Sequence, residues 1–288
     1  MRLLKKLAGV AAAVTLVGMA APASAIIVGG IDFGILGANP TNTHLETATL
    51  AQTYIDGVGQ AATAYGLITS VNGDLSYCAD GSANCSLYYI THSTTRTFTP
   101  LGGGLSYASL GGTTIDVYYS ASAASNLLNQ NSTSNLALIS GLTPWATFLG
   151  AAGVDLTDTG ADQNATGILT GQSLSATGTG LVSVNAADGI GDASVEAYLN
   201  TNSIAAFGGN PNADIAFTTS SNDVVLNPFD LAGPEGDSCR SAQEVGDFCF
   251  AGTADLRGAT AVPEPSSLAL IGLGLGGLAF YRRKARRT

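Results

Sequence analysis

Charge is scarce in this chain. Only 11% of its 288 residues are charged, against about 25% in an ordinary soluble protein. Positive charge is scarcer still, because eight of the 11 Lys and Arg sit at the two ends: Arg2, Lys5 and Lys6 at one, Arg282, Arg283, Lys284, Arg286 and Arg287 at the other. Between them stand Arg96, Arg240 and Arg257, no lysine, and all 21 acidic residues. Three positive charges against 21 negative ones leave this middle at −18. Such a surface repels phosphate backbones, which excludes nucleic acid as a partner. It also opposes anionic lipid. Histidine is equally sparse. The 2 histidines, His44 and His92, are far apart, and neither lies in a His-Glu-x-x-His pattern. That excludes the common helical zinc motif. Proline numbers 9 and forms no proline-rich linker in the middle, so one domain is expected there. The apolar runs at the two ends, 7–21 and 268–281, are each shorter than the roughly 20 residues that a permanent bilayer span usually needs.

Glycine is plentiful instead, 37 residues of 288. The middle shows no long helical periodicity. It shows short Thr-, Tyr-, Val- and Ile-rich runs at 64–71, 86–91, 113–120, 178–184, 194–199 and 213–219. Asn72-Gly73-Asp74, Gly102-Gly103-Gly104, Gly111-Gly112, Asp188-Gly189 and Gly208-Gly209-Asn210 separate them as turns. Residues 114–119 alternate apolar and polar as a half-buried strand does. The pattern predicts an all-β, antiparallel sandwich or jelly roll over residues 26–258, with local helices near 123–129 and 136–141. There is no strict internal repeat, which disfavours an adhesin array.

The two ends read as addresses. Residues 1–25 have a positive start, an uncharged apolar run and the small-x-small site Ala23-Ser24-Ala25. This predicts a secretory signal peptide cleaved between Ala25 and Ile26. The other end predicts a hinge at 259–262, then Pro263-Glu264-Pro265, an apolar helix at 268–281 and a basic tail at 282–288. The 14 apolar residues would span about 21 Å as a helix, shorter than a hydrocarbon core of about 30 Å. The basic tail stays cytoplasmic by the positive-inside rule. A short stop of this kind suits a transient inner-membrane anchor.

This three-part ending resembles the PEP-CTERM sorting signal of Gram-negative bacteria. The resemblance implies processing by an exosortase as partner and export to the cell surface or extracellular matrix. The middle resembles PEP-CTERM proteins associated with floc formation, on Tyr65-Gly66-Leu67, the strand at 113–119, and Asn200-Thr201-Asn202 with Ala213-Asp214-Ile215. That likeness implies an all-β domain linking cells to exopolysaccharide.

Chemistry-bearing residues are few. Ile27-Val28-Gly29-Gly30 looks like the mature start of a chymotrypsin-like protease. Neither histidine has the required context, and Gly236-Asp237-Ser238-Cys239 lacks the nucleophile loop, so the serine has no base to take its proton. No Gly-x-Ser-x-Gly elbow occurs. The expected role is non-enzymatic, with a carbohydrate-active hydrolase or a self-associating matrix subunit as alternatives. No cofactor is expected. The densest acid cluster, Asp155, Asp158 and Asp162, is the best calcium candidate, although it lacks EF-hand spacing. Tyr88, Tyr89, Tyr107, Tyr118, Tyr119 and Trp145 are candidates for a sugar-stacking face or for packing. The four cysteines are expected to pair locally in an oxidising compartment, Cys78 with Cys85 and Cys239 with Cys249. Their spacing is too wide for a typical zinc site.

Overall fold

The computed structural model describes residues 26–34, 42–125, 127, 131–169, 174–223 and 244–260. The expected signal peptide and the sorting signal lie outside these residues. A small hairpin, β1 (Ile27–Val28) and β2 (Ile31–Asp32), precedes one 9-stranded antiparallel sheet. Its strands are β3 (Asn42–Thr53), β4 (Ala61–Val71), β5 (Ser86–Gly102), β6 (Leu105–Ser120), β7 (Thr143–Gly150), β8 (Gln163–Ile168), β9 (Ser175–Val184), β10 (Ile215–Asp223) and β11 (Phe248–Ala259). Two helices, α1 (Ser132–Ser140) and α2 (Ala193–Leu199), interrupt the order.

The sheet closes on itself. β11 pairs with β3, β10 with β11, and β10 also with β9. β7 and β8 both lie between β6 and β9: β7 pairs with residues 114–119 of β6, β8 with residues 106–110. They are two halves of one stave, separated by an excursion at 151–162. Nine strands with two sharing a position make an eight-stave up-and-down barrel. The expected all-β, antiparallel class holds. Within that class the strands form one closed barrel rather than two stacked sheets. Closure removes the exposed edges that a sandwich would have to protect.

Glycine builds this closure as much as it makes turns. Gly180 and Gly178 face inward on β9, opposite Phe217 and Thr219 of β10. A Cβ at Gly180 would overlap the Phe217 ring. Such glycines let a narrow barrel curve and let one large inward ring cross to the neighbouring stave. Gly111-Gly112, expected as a turn, is a bulge inside β6, where pairing with β5 shifts from His92↔Thr114 to Thr94↔Gly111. Gly112 takes φ +65 there.

One barrel end is plugged. Phe33, just after β2, packs between Trp145 of β7 and Tyr198 of α2. Trp145 Nε1 donates to the Gly29 carbonyl at 2.9 Å, which ties the β1–β2 tip to the barrel. Ile26, the expected mature N-terminus, packs against the same core. Residues 194–199, expected as a strand, are helical. Asp192 caps them by accepting the N–H groups of Ser194 and Val195, and this local cap outweighs the β-propensity of Val195 and Tyr198. A second, outer core lies under α1. Tyr65 and Tyr88 point outward from β4 and β5 and are covered together with Ile139 and Leu127. The last strand runs through Ala259, paired with Asn42, and Thr260 is buried. Residue 259, expected in the hinge, therefore belongs to the ladder; residues 261–262 lie outside the described residues.

Candidate functional site

The barrel interior is a cavity of about 90 Å³. Every stave lines it. At the plugged end its wall is Leu45, Ile68, Val117, Phe148, Phe217 and Leu256. One step further along four staves the inward residue is a threonine: Thr47 on β3, Thr91 on β5, Thr113 on β6 and Thr219 on β10. Towards the far end Ser93, Ser221, Gln52 and Gln163 join Ile55 and Leu169. Among the described residues no charged side chain lines the space. Thr47 Oγ1 accepts the Ala254 N–H at 2.9 Å. Thr113 donates to the Asp162 carboxylate, which also accepts the Thr113 N–H. Burial pushes the Asp162 carboxyl up from its ordinary range, against those hydrogen bonds.

The three acids singled out for calcium are brought near one segment but not to one point. The 151–162 excursion lies as a strap over the outer face of β5 and β6. Asp155 accepts from the Tyr107 hydroxyl and from the Thr157 N–H and hydroxyl. Asp158 forms a two-pronged pair with Arg96, at 2.9 and 3.0 Å, and accepts from Ser109. The Arg96 hydrogen bond holds the Asp158 carboxyl below its ordinary range. Asp162 faces inward behind Thr113. Each carboxylate is thus occupied by its own partners, and among the described residues no three His, Cys, Asp or Glu side chains form a metal-sized cluster. The acids fasten the strap.

The outer wall formed by β8 to β11 carries the feature that sequence reading missed. On β8 to β11 six exposed outward residues are short hydroxyls, Thr166, Thr177, Thr179, Thr218, Ser220 and Thr253, flanked on β11 by the Asp255–Arg257 ion pair. Pairing aligns them in rows. Thr166 stands beside Thr177, Thr177 beside Ser220, and Ser220 beside Thr253. Thr179 stands beside Thr218 in the next row. Neighbouring staves are about 4.8 Å apart, so the hydroxyls form a regular lattice. A membrane-spanning barrel needs the reverse polarity, an apolar band outside. Among the described residues no helix is long and apolar enough to cross a membrane either.

The aromatic candidates do not form a strip. Trp145 and Tyr88 are buried, Tyr89 lines the cavity, and Tyr107, Tyr118 and Tyr119 are half-buried. His44 lies 2.6 Å from Asp255, and His92 contacts Thr63 at 3.1 Å, so the two histidines stay in separate polar clusters. Cys78 and Cys85 are joined by a disulfide across the loop before β5. Cys249 is disulfide-bonded too, while Cys239 lies outside the described residues. Asp214, 1% exposed, accepts the N–H groups of Val184, Thr201 and Asn202, and so locks the α2–β10 connection to the plugged end.

Comparison with known proteins adds the address. Residues 261–287 match the PEP-CTERM protein-sorting motif, immediately after the last strand. The chain carries a PEP-CTERM sorting motif at its C-terminal end. Such a motif marks an exosortase-sorted exported protein, held transiently in the membrane through its C-terminal region. Ala25 and the Pro263-Glu264-Pro265 run lie outside the described residues. No curated protein and no solved structure is significantly similar to the chain.

Proposed function

We propose that this protein is a non-enzymatic component of the cell surface or extracellular matrix that associates with uncharged exopolysaccharide in flocs or biofilm. The observation that carries this reading is the hydroxyl wall on β8–β11. Its six exposed hydroxyls are set in rows on a rigid sheet. Rigid hydroxyls lose little conformational freedom when they bond a sugar. Each such bond is worth about 0.5–1.5 kcal/mol, and a surface displaying many copies multiplies weak contacts by avidity. The net negative middle favours neutral or cationic polymers over anionic ones, and hydroxyl rows suit the neutral class. The non-enzymatic role is supported by the separate placement of His44 and His92 and by the engagement of Asp155 and Asp158 in fastening the strap.

The test is co-sedimentation of the exported protein with the neutral exopolysaccharide of its own cells. A triple variant, Thr177→Ala, Thr218→Ala and Ser220→Ala, should bind at least about tenfold more weakly, from three lost bonds at the low end of that range. Undiminished co-sedimentation by the triple variant, or release of shortened polysaccharide by the unmodified protein, would overturn the reading.

A further inference from the structure

The cavity is a second feature, independent of the outer wall. An eight-stave barrel has an interior either just filled by side chains or open to one small ligand. Here the small inward residues Ala64, Ala165, Ala176 and Ala254 keep the space open. Thr91 and Thr219 point their polarity into it, and neither side chain has a hydrogen-bond partner among the described residues. Both residues are half-buried, so their hydroxyls are open to the cavity and available to an occupant that can bond them.

The wall also states what the occupant is like. The closed end is purely apolar, continuous with Ile31, Phe33 and Trp145 of the plug. From the threonine level outward the polar groups are hydroxyls and amides. No charged side chain among the described residues faces the space, so an ionised head group would enter without a counter-charge. We infer that the barrel interior is a binding site for one small uncharged amphiphile, its alkyl chain against Leu45, Phe148 and Phe217 and its hydroxyl or amide head at Thr91 and Thr219. Pockets of this make-up, mostly apolar with a few placed polar groups, are typical of small-molecule sites.

The experiment uses the exported protein recovered without detergent, with 1-octanol as probe and titration calorimetry as readout. Octanoate and octylammonium serve as charged counterparts of the same chain length. The expected result is saturable binding of one octanol per chain, with both charged compounds at least about tenfold weaker, since an unpaired charge is far costlier to bury than a hydroxyl. Ala254→Phe, which fills the middle of the cavity, should abolish binding while leaving the far-UV circular dichroism unchanged. Should that variant not fold, Thr219→Val decides. It keeps the volume, removes one hydroxyl, and should weaken octanol about two- to tenfold. No saturable octanol binding, equal binding of octanoate, or unchanged affinity in folded Ala254→Phe or in Thr219→Val would each overturn the inference. None of these results bears on the hydroxyl wall, which lies on the other side of the sheet.

Discussion

The outer core under α1 offers the sharpest test of the architecture, through Tyr65→Phe. Tyr65 is fully buried although it points away from the barrel interior. Its hydroxyl donates to Ser132 Oγ at 3.0 Å and accepts from Asn135 Nδ2 at 3.0 Å. The Asn135 amide also donates to the Leu127 carbonyl, so three segments meet at this side chain: β4, α1 and the chain before α1. Ser132 and Asn135 are 1% and 0% exposed, so water cannot replace the lost partner. Two bonds at about 0.5–1.5 kcal/mol each give about 1–3 kcal/mol, and burial of the partners places the loss in the upper half of that range. A domain of this size shifts by about 2–4 °C per kcal/mol, so the melting temperature should fall by about 4–12 °C. The assay is thermal unfolding by circular dichroism on the exported protein. A Tyr65→Phe variant melting within about 1 °C of the unmodified protein would refute the buried cluster.

Three further outcomes are expected. Intact-mass measurement of the surface protein should show a chain beginning at Ile26 and lacking everything beyond the Pro263–Pro265 region; a surface form retaining residues 282–288 would refute transient anchoring. Non-reducing peptide mapping should find Cys78 linked to Cys85 and Cys239 linked to Cys249, each bridge worth roughly 2–3 kcal/mol on the chain-entropy estimate; cross-links between the two pairs would refute local pairing. The strap should loosen in acid. Arg96 lowers the Asp158 carboxyl below its unfolded value, so this fastening is complete above the unfolded value of about 3.9 and is lost as pH falls through the folded one. Proteolytic nicking within 151–162 should therefore rise below about pH 4, and Arg96→Gln should bring the same sensitivity at neutral pH.

The legible parts of the fold were those with strong local signals. β4, β5, β6 and β9 are rich in Tyr, Val, Ile and Leu, and their alternation shows in the sequence. β3, β8 and β11 are rich in small and polar residues. Their strand character comes from the ladder with their neighbours, a tertiary effect that propensity does not carry. β7 contains Pro144, which argues against a strand, yet it is tolerated there because the pairing with β6 shifts between Val117 and Tyr118. The helix at 193–199 hid behind β-prone residues because the deciding signal is a single cap, Asp192. Closure itself was beyond reach. Sandwich and barrel share the same strand-and-turn grammar, and only the β9–β10 and β11–β3 pairings separate them.

The same limit explains why the sites were less legible than the address. A sorting signal is a contiguous string, so residues 261–287 could be recognised without a fold. The hydroxyl wall draws its members from four staves, with Thr166 and Thr253 separated by most of the second half of the chain. The cavity draws on all eight staves. In sequence, Thr218 and Thr219 are indistinguishable neighbours. In the barrel, strand alternation sends one to the outer wall and the other to the cavity. That division gives a direct internal check, because the two residues have the same chemistry at adjacent positions. Thr218→Val should weaken polysaccharide association and leave octanol binding unchanged, and Thr219→Val should do the opposite. If both substitutions changed the same activity, the inside and outside of this stave would be wrongly assigned, and with them the register that closes the barrel.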